Sequence, residues 1–366
     1  MNEPTAMTND NSCICEKVGR LRLQLLARVL VALLAATIVI LPASAETAMQ
    51  RAVSVAEDLN LPVVIAARDR SGTTKVKSAL SIKANDAEPL VDLGSITKTV
   101  TAIATLHLID EMNLSPQATL GELLADVPSD KAGITLHQLL THTSGLIECT
   151  GDDDEDLSRS AFLARVFSST LIAKPGTEHL YSNAGYSVLG AVIEIASGMG
   201  FEDYLIERVI PRGLPLIGYG KVYIDERSIL SERTWQTRFQ RLSIADASWG
   251  GLDPGWNLIG NGGLVTSAEG FLPFWSAFMD GEVVGKELVN LALSPHVDEG
   301  EGETFYGYGL VVEQLSDGSH VYWHDGGNDL FSAEWRHFEK SGLTVFTAGT
   351  GNAAFEAMKA VTVGKI

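Results

Sequence analysis

A serine and a lysine stand one helical turn apart in Gly94-Ser95-Ile96-Thr97-Lys98, and the apolar run Thr99 to Ile109 follows them. Residues three apart on a helix share a face, so the lysine amine reaches the serine hydroxyl and a nucleophile has its base beside it. Burial lowers a lysine pKa toward the range in which a neutral amine accepts a proton. The apolar and small residues after Lys98 supply that burial. The spacing predicts a helix over Ser95 to Glu111 with Ser95 in its first turn, where backbone N–H groups lack intrahelical partners. The Ser95 N–H is then available to a developing oxyanion. The competing reading of Ser95 is a helix cap, a position serines favour.

Two later clusters decide between these readings. Tyr181-Ser182-Asn183 follows the turn Lys174-Pro175-Gly176-Thr177, and His324-Asp325-Gly326-Gly327 follows the strand-like run Ser319 to Trp323. In this order the three clusters resemble those of the penicillin-recognising serine hydrolases. The class C β-lactamase-like branch, with its D-Ala-D-Ala carboxypeptidases, D-aminopeptidases and esterases, is the nearest in pattern. Leu139-Leu140-Thr141-His142-Thr143-Ser144-Gly145-Leu146, Gly262-Gly263-Leu264-Val265-Thr266-Ser267 and Tyr306-Gly307-Tyr308-Gly309-Leu310 resemble further segments of that family. The resemblance runs from about Pro62 to the last helix.

The resemblance implies acyl transfer to water, with Ser95 as nucleophile and Lys98 as its base. Tyr181 would relay a proton to the leaving group. Asn183 would exchange hydrogen bonds with Lys98 and the substrate amide. His324 stands where the lactamases of this branch carry the lysine of "KTG". A lysine supplies a permanent charge for a substrate carboxylate, whereas histidine is mostly neutral at pH 7. Asp325 replaces the usual threonine and is expected to add negative charge beside the pocket. Gly326 is expected to let substrate approach the strand edge, and the Gly327 N–H to be the second oxyanion donor. No cofactor is implied. The substrate expected is a small molecule or short peptide, an ester or small amide, with a β-lactam or DD-peptide as alternative. A non-catalytic penicillin-binding-type sensor that retains the cleft is the alternative outside the enzymes.

The elements that must position these residues alternate in period. Pro62 to Ala67 and Thr74 to Ile82 predict two strands, and Leu120 to about Leu293 shows short helical patterns between Gly- and Pro-bearing loops. Then Tyr308–Glu313, His320–His324, Ser332–Arg336 and Leu343–Thr347 predict successive antiparallel strands, with a closing helix over Asn352 to Lys359. The expected fold is α/β, serine β-lactamase/transpeptidase-like: one antiparallel sheet built from both chain ends, flanked by helices, with a mainly helical lobe over about 115–300 inserted.

Residues 1–45 are expected to be a secretory signal, with the hydrolase domain over 46–366. Arg20, Arg22 and Arg28 precede the apolar core Val29 to Leu41, and Pro42-Ala43-Ser44-Ala45 offers a small-x-small cleavage site. An uncleaved anchor is the alternative and the one route to membrane contact. Residues 1–45 carry three acidic and four basic side chains, so the net charge moves from −19 to −20 without them. Such an acidic chain disfavours nucleic acid as a partner. Cys149 is the sole cysteine after the leader, which excludes an internal disulfide there. The run Asp152-Asp153-Asp154-Glu155-Asp156 lacks the glycine and glutamate positions of a calcium loop and is expected to be a solvated loop. His142 and His179 lack partners at metal-ligand spacing, and no metal site is expected.

Overall fold

The computed structural model describes residues 45–60, 63–79, 90–219, 253–300, 302–327 and 331–362. The expected leader therefore lies outside the described residues except for Ala45, as do Pro62 and residues 80–82 of the first two predicted strands. Helix α1 (Ala45–Asp58) leads into the hairpin of β1 (Val63–Arg68) and β2 (Thr74–Ala79). Its turn holds Gly72 at φ +84°, and the Asp69 carboxylate accepts from the N–H groups of Ser71 and Thr73. Strand β3 (Leu90–Asp92) precedes a 3₁₀ turn, Gly94–Ile96, and the long helix α2 (Thr97–Glu111).

The middle of the chain is helical: α3 (Leu120–Leu123), α4 (Leu136–Leu140), α5 (Arg159–Ser168), α6 (Asn183–Ser197) and α7 (Phe201–Tyr204), which runs into a π turn. Strand β4 (Val265–Ser267) pairs antiparallel with β3, and α8 (Ala268–Asp280) and α9 (Lys286–Ala292) follow. The chain then returns to strands β5 (Val297–Asp298), β6 (Thr304–Tyr306), β7 (Val311–Gln314), β8 (His320–Gly327), β9 (Phe331–Phe338) and β10 (Leu343–Thr350), closing with α10 (Ala353–Thr362).

The main sheet has the order β2-β1-β10-β9-β8-β7-β6-β5. Every pairing in it is antiparallel, and β1 meets β10 with Val63 opposite Gly349 and Arg68 opposite Thr344. Thus the sheet is assembled from both chain ends, as the change of period predicts. The short β5 and β6 are additions to that expectation, and the strand expected from Tyr308 starts only at Val311.

Strand β1 reads as an unbroken apolar run because both of its faces are covered. Val64 and Ala66 join the large core under the helical middle, while Val63, Ile65 and Ala67 pack with Met49, Ala52, Ala357 and Met358 of α1 and α10. Burying one such branched side chain stabilises the fold by about 1.5–3 kcal/mol. Helix α2 lies inside the protein, with only His107, Asp110 and Glu111 outside the buried set. Its threonines are satisfied across the core: Thr99 Oγ1 donates to the Gly309 carbonyl at 2.7 Å, and Thr101 Oγ1 to that of Gly260 at 2.7 Å. Those bonds fix α2 against the loops before β4 and β7, and so fix where Ser95 and Lys98 sit.

Candidate active site

Ser95 sits in the 3₁₀ turn, not in the first turn of an α-helix, and α2 starts two residues later at Thr97. The tighter turn leaves the Ser-x-x-Lys reach intact. Lys98 Nζ donates to Ser95 Oγ at 3.1 Å and to the Asn261 carbonyl at 2.7 Å. Lys98 is fully buried. Its ammonium lies 4.8 Å from the centre of the Tyr181 ring, which brings the second acid/base candidate to the same point.

The Ser95 turn abuts the end of β8 through glycines. A methyl group on Gly326 would collide with the Leu93 carbonyl and the Ser95 nitrogen, and one on Gly94 with the Gly327 nitrogen. Gly326 is therefore needed for the turn to pack on the strand end, a constraint different from the expected access for substrate. This backbone contact sets the Ser95 and Gly327 nitrogens on neighbouring segments, where two oxyanion donors would have to be. Gly94 itself holds φ +51°, a conformation that glycine adopts at little cost.

Asn183 is the first residue of α6, and the helix entry is tightly held. Ser182 Oγ accepts from the Gly185 N–H at 2.9 Å and donates to the Ile147 carbonyl at 2.7 Å. The Ser182 N–H donates to His142 Nδ1 at 3.0 Å. His142 is fully buried at φ +55°. A non-glycine residue there carries about 1–2 kcal/mol of backbone cost. Its ring lies 4.2 Å from that of Tyr181, 4.9 Å from Tyr186 and 4.7 Å from Tyr306. Burial holds the phenols of Tyr186 and Tyr306 well above their ordinary pKa, so both remain hydroxyl donors. His324 is buried on β8, with Nε2 3.1 Å from the Tyr306 hydroxyl and Nδ1 2.6 Å from the Asp325 carbonyl.

Asp325 does not face the pocket. Side chains alternate along a strand, so His324 shares its face with Tyr322, whereas Asp325 shares the opposite face with Trp323. Tyr322 belongs to the core under the helices and Trp323 packs against the α1 and α10 layer. Asp325 is registered with Glu334, where its charge adds to the burial that raises the Glu334 pKa to about 7.

Three residues of the site were not singled out by sequence reasoning. The Asn261 side-chain amide is spent on orientation: Nδ2 donates to Ser187 Oγ at 2.8 Å and to the Asn257 carbonyl at 2.7 Å, while the Asn261 backbone carbonyl accepts from Lys98. Asn257 in turn donates to the Asp152 carbonyl at 2.8 Å and accepts from Thr150 Oγ1 at 2.5 Å. Glu155 forms a two-bond ion pair with Arg165 at 2.6 and 2.5 Å. The acidic loop is thus pinned on both sides of Asp153, the third residue. Asp152, Asp154 and Asp156 are exposed as expected, but Asp153 is turned inward with Oδ1 buried and lacking a hydrogen bond among the described residues. Burial raises its pKa to about 6 against the pull of Lys98, with Asp154, Asp152 and Glu148 adding to the rise.

Cys149 is half-buried, and no group of three or more His, Cys, Asp or Glu among the described residues is placed to hold a metal ion.

A serine bonded to a buried lysine, a tyrosine over that lysine and a glycine-lined strand end, between a both-ends sheet and a helical lobe, define the penicillin-recognising serine hydrolase class of fold. Residues 59–362 match the Beta-lactamase family, and the chain belongs to it. Penicillin-binding protein 4* of Bacillus subtilis is 25% identical over 271 residues, covering 65% of this chain and 55% of that protein. Esterase EstB of Burkholderia gladioli is 34% identical over 131 residues, 30% of this chain and 33% of the esterase. The D-amino acid amidase of Ochrobactrum anthropi SV3, solved with D-phenylalanine, superposes with a TM-score of 0.67 at 17% identity, over 87% of this chain and 99% of the amidase chain. The chain spans about half, or less, of the length of the first curated relatives it matches.

Proposed function

We propose that the protein is a serine hydrolase that acts through an acyl-enzyme on uncharged or amine-bearing esters and small amides. The observation that carries this reading is the 3.1 Å bond from the buried Lys98 ammonium to Ser95 Oγ. Lys98, once it has given up a proton, takes the hydroxyl proton as Ser95 Oγ bonds to the substrate carbonyl. Developing charge on the carbonyl oxygen is met by the N–H groups of Ser95 and Gly327. Tyr181 passes a proton to the departing group, and water then releases the acyl chain from Ser95. The esterase among the relatives and the D-amino acid amidase among the structural neighbours support this substrate range. A buried His324 where a lysine would stand supports it as well, since an imidazole offers a substrate carboxylate no permanent charge. Residues 1–45 are proposed to direct the domain over 46–366 out of the cytoplasm.

The testing experiment is a turnover screen with p-nitrophenyl esters, D-aminoacyl anilides and nitrocefin, alongside labelling with a fluorophosphonate. Esters or anilides should be hydrolysed at least about tenfold better than nitrocefin, the worth of one charge-assisted contact. Efficient nitrocefin hydrolysis with negligible esterase activity would promote the β-lactamase alternative. Absence of both labelling and turnover would favour the sensor.

Asp153 favours the amine-bearing part of that range, because a half-buried carboxylate that feels the charge of Lys98 gains from a substrate ammonium. Asp153→Asn should lower kcat/KM for D-aminoacyl anilides about tenfold and leave acetyl esters within about twofold. The same change should stabilise the fold. The folded pKa of about 6 exceeds the ordinary 3.8. The native state therefore holds the extra proton between these values, and stability falls as pH rises through that window. Above pH 6 the asparagine variant should be more stable by about 1–2 kcal/mol, discounted from the full shift because Asp153 is only half-buried. Denaturant melts at pH 4 and pH 7 check it: a gain at pH 4 equal to that at pH 7 would contradict the cause given.

A further inference from the structure

We infer that Tyr306 and His142 are positioning residues that lock His324 into one neutral tautomer with both ring nitrogens engaged, so that the strand-end histidine presents no cation to a substrate at this site. The inference deepens the proposed substrate range and rests on the reading of this cleft as the reacting site.

Four bonds link Ser182 to Asp325 through the two rings and the phenol. At one end a backbone N–H, that of Ser182, meets His142 Nδ1 at 3.0 Å. A backbone N–H only donates, so Nδ1 accepts, and the neutral ring carries its proton on Nε2. That Nε2–H points to the Tyr306 oxygen at 3.2 Å. The Tyr306 hydroxyl proton is then left for His324 Nε2, at 3.1 Å, or for the Tyr186 oxygen, whose own proton goes to the Leu140 carbonyl. The Asp325 carbonyl decides between them: it only accepts, and it lies 2.6 Å from His324 Nδ1, so Nδ1 carries the ring proton and in the neutral ring Nε2 accepts from Tyr306.

Both ends are backbone groups of fixed polarity, and the phenol between the two rings is kept protonated by burial. A second proton on His324 would put Nε2–H against the Tyr306 oxygen, already the acceptor for His142, and displace the Tyr306 hydroxyl from its bond. His142 holds φ +55° at this point, with its ring centre 4.7 Å from that of Tyr306. The two segments that resemble family motifs around His142 and Tyr306 thereby meet at His324.

The decisive experiment is nitrogen NMR of the protein labelled with ¹⁵N-histidine at pH 7, with resonances assigned through His142→Asn and His324→Gln. His324 should show a protonated Nδ1 and an unprotonated Nε2, and His142 the reverse. An imidazolium, or a protonated Nε2, on His324 in the unmodified protein would overturn the inference whatever the enzyme's activity proves to be. Tyr306→Phe gives the functional readout. It removes the donor to Nε2, so the His324 signals should move and the ratio of kcat/KM for nitrocefin to that for a p-nitrophenyl ester should rise about tenfold. Unchanged His324 resonances in a folded Tyr306→Phe protein would also overturn it. A failure of the hydrolase reading appears separately, as absent turnover with the tautomers as assigned.

Discussion

Ser95→Ala should leave a folded protein that neither takes up a fluorophosphonate nor turns over an ester. Only one oxygen is removed, and among the described contacts it accepts a single bond, from Lys98. The loss in kcat should be at least about 10⁴-fold, as when a nucleophile is taken from a group of residues that act as a unit. Melting should shift little, because a small side chain in an already formed turn contributes less than about 1 kcal/mol. Intact-mass analysis of the labelled wild type, followed by peptide mapping, checks the assignment directly. An adduct on any residue other than Ser95 would refute it.

Lys98→Met should separate chemistry from stability more sharply. The methionine fills much of the same space but cannot accept the Ser95 proton, so acylation should slow at least about 10³-fold. Stability should stay within about 2 kcal/mol of wild type. Removing a buried charge relieves desolvation, while the Asn261 carbonyl loses a donor, and these terms oppose each other. Stopped-flow acylation with an activated ester and a urea melt give the two numbers. Collapse of the fold together with activity would recast Lys98 as a structural residue.

Much of this was legible in the chain because the signals are local. Ser95 and Lys98 are three residues apart, and the strands from His320 onward alternate or run apolar as strands must. What could not be read was set by partners far along the chain. Asp153 looked like its solvated neighbours, since nothing near it in sequence shows that Arg165 and Asn257 turn it inward. The bridge from His142 to His324 spans 182 positions through a single phenol, and no period marks it. Asp325 is the opposite case. Strand alternation alone puts it on the face away from His324, whereas its place in the motif, one position after His324, suggests a neighbour in the pocket.

The both-ends sheet also governs when a newly made chain can act. Ser95 and Lys98 leave the ribosome early, yet the wall that faces them arrives with β8, more than 220 residues later. Strand β10 comes later still, and only it joins β1 to β9. Pairings this distant close late, because the entropy of the long loop is lost before any contact offsets it. Ser95 and Lys98 are therefore made long before the sheet they pack against is closed. A translation product cut short before Leu343 carries the serine–lysine pair without the strand that closes the sheet, and such a fragment is expected not to turn over an ester that the full chain hydrolyses.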